Sequence, residues 1–337
     1  MRDVIGQRRL LERLGAQALR GEVAHAYGLS GPRSIGKRTA ALRIAQTLNC
    51  ETPNASAGGC GTCRACRKIA DGTHPDVVLV TRADDLKNIA IDQIRPMQSD
   101  LALRPLEGRR RIVIIDDAAE LSEQAQVALL KTLEEPPSHA VLLLLTPTPE
   151  GLFDTIRSRL QTLAFRLVPT AEIAEGLREL FGAGTEKHAA AAGGRPGLAI
   201  TLATDEAARI ERRRLEAEFY TLLGSGLTDR FAWAADLAGD LVPKRRTRQI
   251  DRRLVEWGEL VRDAAVAAQG VDRPMHPDRA AETSRLAASV GARELVDTML
   301  LMERLRRDLD FNANARALLE LFALKVPYGA AFKVEKK

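Results

Sequence analysis

The chain has 337 residues, which exceeds one compact core of about 100 to 200 residues and predicts two or three domains. Only 4% of the residues are aromatic, which argues against single-strand recognition by base stacking, whereas the formal charge of +5 is compatible with phosphate contacts. No run approaches the roughly 18 apolar residues of a membrane span, and the chain opens on a charged segment instead of a signal peptide's apolar core. We therefore expect a cytoplasmic protein.

The apolar pattern predicts alternating helices and strands in the first half of the chain. A helix is predicted from Val4 to about Arg20, then a strand from His25 to Ser30, a glycine loop, and a helix from Arg38 to Leu48. The remaining predicted strands are Val77–Val80, Ile112–Ile115 and Val141–Leu145, and the helices between them are Ile91–Leu103 and Ser122–Glu134. Apolar runs without alternation indicate strands buried on both faces, so the sequence predicts an α/β fold with a parallel sheet.

The pattern changes after Phe165. Residues 168–207 form short helical segments with glycine breaks, which predict a small helical domain. Residues 208–337 have helical periodicity in almost every segment, without a second phosphate loop or cysteine cluster, and predict an α-helical packing or oligomerisation domain. The predicted domains are therefore 1–167, 168–207 and 208–337.

Residues Gly31 to Lys37 read G-P-R-S-I-G-K, the G-x-x-x-x-G-K part of a Walker A loop, between a predicted strand and a predicted helix. Backbone N–H groups and the helix N-terminus could surround a phosphate there, with Gly31, Gly36 and Lys37 in the binding positions. The next position requires Ser or Thr for magnesium but is Arg38, and the Thr39 hydroxyl comes one residue late, rotated by about 100°. The loop is predicted to have the shape of a phosphate site with impaired hydrolysis; the alternative is a plain strand-to-helix turn.

The run Arg111 to Asp117 has the form of a Walker B strand, with four apolar residues before two carboxylates. Asp116 is predicted to lie at the carboxyl end of its strand, facing the phosphate loop. ATPases with a Walker B strand of this form normally have Glu at the position of Asp117. Asp117 is therefore a second difference, after Arg38, from the sequence of an active ATPase. The alternative is that both carboxylates belong to a strand-end turn that caps the next helix.

The four cysteines are clustered in the pattern C-x9-C-x2-C-x2-C, at Cys50, Cys60, Cys63 and Cys66. Four thiolates are the ligand set of a closed tetrahedral zinc site. Disulfides are not expected in a cytoplasmic chain, and the nearby glycines allow tight turns. The sequence predicts a structural zinc ion with no open position for chemistry.

Several motifs follow one another along the chain in a fixed order. They are Val4–Gln7, His25–Tyr27, the Gly31–Lys37 loop, the cysteine cluster directly after its helix, His74–Asp76, Ile91–Arg95, Leu129–Pro137 and Thr155–Leu160. Together they resemble the AAA+ clamp-loader subunits of bacterial DNA polymerase III, of the gamma/tau and delta-prime types. Gly193–Gly197 is similar to the lid motif of that family, and Asn312–Arg316 to its delta-prime collar sequences. The resemblance implies a RecA-like AAA+ domain with an inserted zinc module, a helical lid and a helical collar.

The resemblance also implies roles for single residues. Ser158-Arg159-Leu160 corresponds to the family's Ser-Arg-Cys motif, whose arginine reaches into the ATP site of a neighbouring motor subunit. An arginine supplied in this way raises phosphoryl-transfer rates by about 10³ to 10⁵. Thr146 corresponds to sensor 1 and Arg195 to sensor 2 of the nucleotide site. The alternatives are a surface salt bridge for Arg159, a strand-end hydroxyl for Thr146 and a solvated turn for Arg195.

The implied partners are the gamma/tau and delta subunits, the sliding clamp and primed DNA. Structural Zn²⁺ is expected in this chain, whereas ATP with Mg²⁺ is expected in the neighbouring subunits, and this chain alone should have little or no ATPase activity. Three other functions stay open: a gamma/tau motor with its own ATPase, another DNA-directed AAA+ ATPase, and a DNA-reading zinc finger. Arg38 and Asp117 argue against the first, and the cysteine insertion against the second. The third lacks histidine ligands and a recognition helix.

Overall fold

The structure, a computed structural model, describes residues 4–52, 59–83, 86, 88–239, 243–271, 274–310, 313–329 and 332. The chain divides into two compact units. Unit 1 comprises residues 1–189 and 194–200, and unit 2 comprises residues 190–193 and 201–337. The finer division into three domains at residues 167 and 207 stays a prediction.

Unit 1 is built on a parallel sheet that has five strands in the described part of the chain. The strands are β1 Ala26–Ser30, β2 Val77–Val80, β3 Arg111–Ile115, β4 Ala140–Thr146 and β5 Gln161–Ala164. Their order across the sheet is β2-β3-β4-β1-β5. Every residue of β1, β3 and β4 is buried, as expected of uninterrupted apolar runs covered on both faces. The parallel sheet predicted from the sequence is confirmed.

The helices that begin in unit 1 are α1 Arg8–Leu19, α2 Lys37–Asn49, α3 Arg64–Ala70, α4 Ile91–Ala102, α5 Glu123–Glu134, α6 Asp154–Arg157, α7 Thr170–Phe181 and α8 Pro196–Thr204, and α8 continues past Ile200 into unit 2. On one face, Ile94 of α4 and Leu129 of α5 belong to the same buried cluster as Val113 and Leu142 of the sheet. Because β1 leads directly into the Gly31–Lys37 loop and α2, the sheet fixes the position of that loop.

Strand β5 was not predicted from the sequence. It pairs with β1, with Tyr27 opposite Gln161 and Leu29 opposite Leu163. Only Leu163 of its four residues is buried, so the segment lacks the apolar run that identified the other strands. It lies at the edge of the sheet, where a polar face is tolerated.

Asp76, in the segment before β2, holds a long loop in place. Its fully buried carboxylate accepts hydrogen bonds from the backbone N–H groups of Leu106, Glu107 and Gly108, at 2.7 to 2.8 Å. Burial alone would raise the pKa of Asp76, but these N–H groups outweigh burial and hold the pKa below its usual value. Its contribution to stability is therefore complete at neutral pH and is lost as the pH falls below the unfolded-chain value of about 3.9.

Replacing Asp76 by asparagine is expected to destabilise unit 1 by about 2 to 3 kcal/mol at neutral pH, because three N–H groups lose a charged acceptor. Amide hydrogen exchange of residues 106–108 should accelerate with the loss of stability, and the difference from wild type should shrink in acid. Asp71→Asn, at an exposed carboxylate, is the matched control. Unchanged exchange in Asp76→Asn would contradict this account of the loop.

Unit 2 is helical throughout its described residues. Its helices are α9 Glu206–Gly224, α10 Leu227–Gly239, α11 Pro243–Ala267, α12 Ala280–Ser289, α13 Ala292–Asp310 and α14 Ala315–Lys325. Trp257 is fully buried at the centre, with its ring 5.4 Å from that of Phe219 and 5.6 Å from that of Phe322. Asn314 caps α14 by accepting from the N–H of Arg316, whereas Asn312 lies outside the described residues. No helix among the described residues is long and apolar enough to cross a membrane.

Candidate functional site

The loop between β1 and α2 has the backbone that a phosphate loop needs. Ser34 and Gly36 have positive φ values of 60° and 97°, and Gly31 has 149°. A Cβ on Gly31 would lie 2.5 Å from the carbonyl oxygen of Phe165, so only glycine fits against that backbone. Ile35 is fully buried and anchors the loop from below. The turn therefore rests on the sheet in one fixed conformation.

Lys37 is the first residue of α2 and is only 8% exposed. Its ammonium group donates hydrogen bonds to the carbonyl oxygens of Gly31 at 2.5 Å and Pro32 at 2.9 Å. Burial lowers the pKa of Lys37, and the carboxylates of Asp117 and Asp116 act in the opposite direction. The Lys37 ammonium group thus lies inside the loop. A bound phosphate could take the place of the two carbonyl oxygens as its hydrogen-bond partner.

Arg38 meets the Walker B carboxylate. Its Nη1 lies 3.7 Å from Oδ2 of Asp116, while its side chain stays 56% exposed. Burial, followed by the neighbouring Asp117, raises the pKa of Asp116, and Arg38 opposes that shift. The residue that replaces the expected hydroxyl therefore contacts the carboxylate at the end of β3.

Three further residues were predicted to belong to the nucleotide site: Thr39, Asp117 and Thr146. Thr39 is exposed on α2. Asp117 has a left-handed backbone, φ 53°, and its side chain makes no cap to the following short helix. Thr146, at the end of β4, is 1% exposed and donates from its hydroxyl to the carbonyl of Thr148. Its own carbonyl accepts from the N–H of Gly31, so β4 ends beside the phosphate loop.

The segment Gly193–Gly197 reaches the phosphate loop through its last residue. The N–H of Gly197 donates to the carbonyl of Ser34 at 2.8 Å, and a Cβ on Gly197 would lie 2.8 Å from that oxygen. Arg195 is partly buried two residues earlier. The structure therefore brings the predicted sensor segment next to the loop, although the two lie more than 150 residues apart.

Arg159 lies directly after α6, close to the sheet. Its guanidinium donates to the carbonyl of Thr155 at 2.8 Å and to Oε1 of Glu134 at 2.9 Å, and the side chain is 36% exposed. The next residue, Leu160, packs against Gly28 of β1, where an added Cβ would lie 3.2 Å from its Cδ1. Leu160 thus anchors the segment to the sheet, whereas Arg159 is partly exposed and forms one ion pair, with Glu134.

The four cysteines come together as the sequence predicted. Their sulfur atoms all lie within 4.8 Å of one another, with Cys50 and Cys63 at 4.0 Å. Four sulfurs placed 2.3 Å from one tetrahedral ion are about 3.8 Å apart, so the cluster could hold a metal ion. The module packs on α2, where Gln46 donates to the carbonyl of Cys66 at 2.8 Å.

The backbone around the cluster favours thiolates at one edge. The N–H groups of Cys63 and Thr62 lower the pKa of Cys60 to about 5, whereas burial raises the pKa values of Cys50 and Cys66. A cation at the centre is what would hold all four sulfurs as thiolates. α2 has 13 residues and is about 20 Å long, which separates this cluster from the phosphate loop at the other end.

Sequence reasoning missed a second group of ionisable side chains, in unit 2. Ligand atoms of Glu256, Glu259 and His276 lie within 4.8 Å of one another. The Arg212 guanidinium lies among them, with Nε 3.3 Å from Glu256 and Nη2 2.5 Å from Nε2 of His276. Arginine can only donate, so Nε2 of His276 is an acceptor there. The positive charge at the centre of this group is therefore Arg212.

The parallel strand order, the phosphate loop after β1 and the carboxylates after β3 define a P-loop domain of the AAA+ class. Residues 6–169, just under half of the chain, match the model of the family described as DNA polymerase III, delta subunit. The matched region contains the loop, the cysteine module, the Walker B strand and Arg159.

The chain is also similar to proteins named as subunits of DNA polymerase III. Over 153 residues the chain is 41% identical to DNA polymerase III subunit delta' of Pseudomonas aeruginosa, which covers 45% of each protein. Over 188 residues it is 35% identical to subunit tau of Escherichia coli, covering 56% of this chain and 28% of that protein. A gamma subunit-related protein of Thermotoga maritima matches with TM-score 0.46 and 18% identity over 96% of this chain and all of that one. The chain spans less than half the length of the two curated relatives.

Proposed function

We propose that this chain is a clamp-loader subunit of the delta-prime type, which helps to load the sliding clamp onto primed DNA in the cytoplasm. Its proposed partners are the gamma/tau and delta subunits of DNA polymerase III. The observation that carries the proposal is the combination, in one domain, of a partly exposed Arg159 with a nucleotide site altered at Arg38 and Asp117. Such a domain suits a subunit that completes a neighbour's ATP site instead of turning over ATP itself.

In this function Arg159 is the arginine finger supplied in trans. The chain's own nucleotide site is degenerate, with eight contributing residues. They are Gly31, Gly36, Lys37, Thr39, Asp116, Asp117, Thr146 and Arg195. We also propose that residues 168–207 act as the lid and residues 208–337 as the collar through which the subunits assemble.

The test is reconstitution with the gamma/tau, delta and clamp proteins of the same organism. The chain alone is expected to hydrolyse no ATP above background, and adding it to the other subunits should give clamp-dependent turnover on primed DNA. Robust turnover by the isolated chain would refute the delta-prime assignment. Failure to assemble with the motor subunits would refute the clamp-loader function itself.

The second candidate is a gamma/tau motor, favoured by the 35% identity to subunit tau of Escherichia coli. A motor needs magnesium beside its phosphate loop, and Arg38 stands at that position. The isolated-chain ATPase assay separates the two candidates directly.

We further propose that the metal ion of the cysteine cluster is zinc, held by Cys50, Cys60, Cys63 and Cys66. The ligand set has four sulfurs and no water position, so the ion would be structural. Its coordination would link the segment after α2 to α3.

Removing one thiolate is expected to release the ion. Purified chain should contain about one zinc per molecule under reducing conditions, and Cys60→Ser should lose most of it, because three ligands close the tetrahedron poorly. Limited proteolysis should then cleave near residues 50–66 first. Arg67→Ala, at an exposed position on α3, should keep its zinc. Zinc well below this level in the wild-type chain would refute the assignment.

A further inference from the structure

The environment of Asp116 does not fit magnesium. In a hydrolysing phosphate loop the ion is held between the hydroxyl after the lysine and the carboxylate that ends the Walker B strand. Here the first of those positions is Arg38, whose Nη1 is 3.7 Å from Oδ2 of Asp116. A permanent cation therefore faces the carboxylate that would bind the metal. A divalent cation could bind Asp116 only by displacing the Arg38 guanidinium, which is also positively charged.

The rest of the loop is still arranged for an anion. Within the described residues, no carbonyl or side-chain acceptor is hydrogen-bonded to the backbone N–H groups of Gly36, Lys37 and Arg38. These groups start α2, so the positive end of the helix points into the loop. The Lys37 ammonium forms no ion pair within the described residues and donates only to the carbonyls of Gly31 and Pro32.

The charges around the loop also favour an anion. The cations are Arg33, Lys37 and Arg38, and the carboxylates that face them are Asp116 and Asp117. Three positive charges against two negative ones leave a net positive site before any ligand binds. The exposed Arg38 side chain makes one long contact, so its remaining donors can turn toward a phosphate.

We propose that this phosphate loop binds the di- or triphosphate group of a nucleotide without a divalent metal ion, with the Arg38 guanidinium in the metal's place. A guanidinium supplies permanent charge and paired N–H donors that match phosphate oxygens. It cannot reproduce the octahedral coordination by which magnesium orients the reacting oxygens, so the nucleotide is retained and not hydrolysed. The inference rests on the nucleotide site of the proposed function and does not depend on Arg159.

Equilibrium dialysis of the full chain with ATP, and separately with ADP, tests the inference in magnesium and in EDTA. The wild-type dissociation constant should change by less than about threefold between the two conditions. In Arg38→Thr, which restores the missing hydroxyl, binding should become at least about tenfold weaker in EDTA than in magnesium. Arg38→Lys keeps the positive charge and should stay independent of the metal. Arg67→Thr removes an exposed arginine elsewhere in the same unit and should behave as wild type.

Three results would overturn the inference: wild-type binding that requires magnesium, no nucleotide binding in either condition, or metal-independent binding that persists in Arg38→Thr. If Arg38→Thr does not fold, as judged by circular dichroism, Arg38→Gln takes its place, because it also removes the positive charge; metal-independent binding that persists in Arg38→Gln would overturn the inference. The proposed delta-prime function has its own readout in reconstituted turnover, so the two can fail separately.

Discussion

In the proposed role of Arg159, its replacement by alanine is expected to lower ATP turnover about 10³- to 10⁵-fold at the site of the neighbouring subunit. The loss arises because the guanidinium neutralises charge that develops on the transferring phosphoryl group. The cleanest measurement pairs this chain with one motor subunit whose own corresponding arginine has been replaced. Only Arg159 can then complete the interface, and the burst of product in a single turnover reports on that site.

The energies favour release of Arg159 from its resting contact. In the free chain Arg159 is held by Glu134 at 2.9 Å, with both side chains partly exposed. An exposed ion pair contributes about 0.2 to 1 kcal/mol. A rate factor of 10³ to 10⁵ corresponds to about 4 to 7 kcal/mol of transition-state stabilisation. In the proposed role, exchange of Glu134 for the phosphoryl group in the transition state would be favourable by several kcal/mol, and Glu134→Gln should alter turnover only slightly.

The matched control is Arg157→Ala. Arg157 lies two residues earlier, has the same 36% exposure and pairs with Asp154 within α6. Its removal should leave turnover within about twofold of wild type, because a lost exposed ion pair changes little. If Arg157→Ala and Arg159→Ala lost the same amount of ATP turnover, the structure of α6 and not the Arg159 guanidinium would account for the loss. That result would refute the assignment of Arg159 as the arginine finger. Arg159→Lys should recover little, since lysine lacks the planar pair of donors.

The sequence predicted the parts of unit 1 that depend on local patterns. Apolar runs without alternation identified β2, β3 and β4. Burial on both faces explains these runs in β3 and β4, whereas β2 is an edge strand in which only Val80 is buried. The cysteine spacing identified the cysteine cluster from a local pattern too, because its four side chains come from one short segment. β5 was missed because its residues Gln161 to Ala164 form no apolar run.

The geometry of the phosphate loop could be predicted only in part. The sequence marked Arg38 as a departure from the Walker A pattern, but not its partner. Asp116 lies 78 positions further on, and only the register of β3 beside β4 and β1 brings the two together. The contact of Gly197 with Ser34 depends on the path of the intervening chain, which no local pattern contains.

Charged side chains of unit 2 form a second feature that no local pattern indicates. The Arg212 network consists of Arg212, Glu216, Glu256, Glu259, Asp263 and His276. Its members come from α9, α11 and the segment before α12, so each looks like an ordinary surface charge in the sequence. Arg212 is nevertheless 5% exposed and Glu216 2% exposed. The network therefore has to balance its charges internally.

Replacing Arg212 by methionine is expected to lower the free energy of unfolding of unit 2 by about 3 to 5 kcal/mol, because buried carboxylates lose their cation. Both tryptophans of the chain, Trp233 and Trp257, lie in the core of unit 2, so their fluorescence follows this unit alone in a urea titration. Arg213→Met, at the exposed neighbouring position on α9, should stay within about 0.5 kcal/mol of wild type.

The size of the loss follows from how many groups Arg212 serves. Its Nε lies 3.2 Å from Glu216 and 3.3 Å from Glu256, its Nη2 3.6 Å from Glu259, and its Nη1 donates to the carbonyl of Ala191. Lysine has one ammonium group and cannot reach all of these, so Arg212→Lys should recover only part of the stability.

The pH dependence separates lost charge compensation from lost packing. On the far side of the network, burial alone would raise the pKa of Asp263, but hydrogen bonds from His276 and from backbone N–H groups hold it below its usual value. Protonation stabilises a buried carboxylate that has no cation beside it, so the difference in unfolding free energy between Arg212→Met and wild type should shrink as the pH is lowered. A difference that stays constant from neutral pH into acid would instead assign the effect of Arg212 to packing, since methionine leaves the apolar part of the side chain in place.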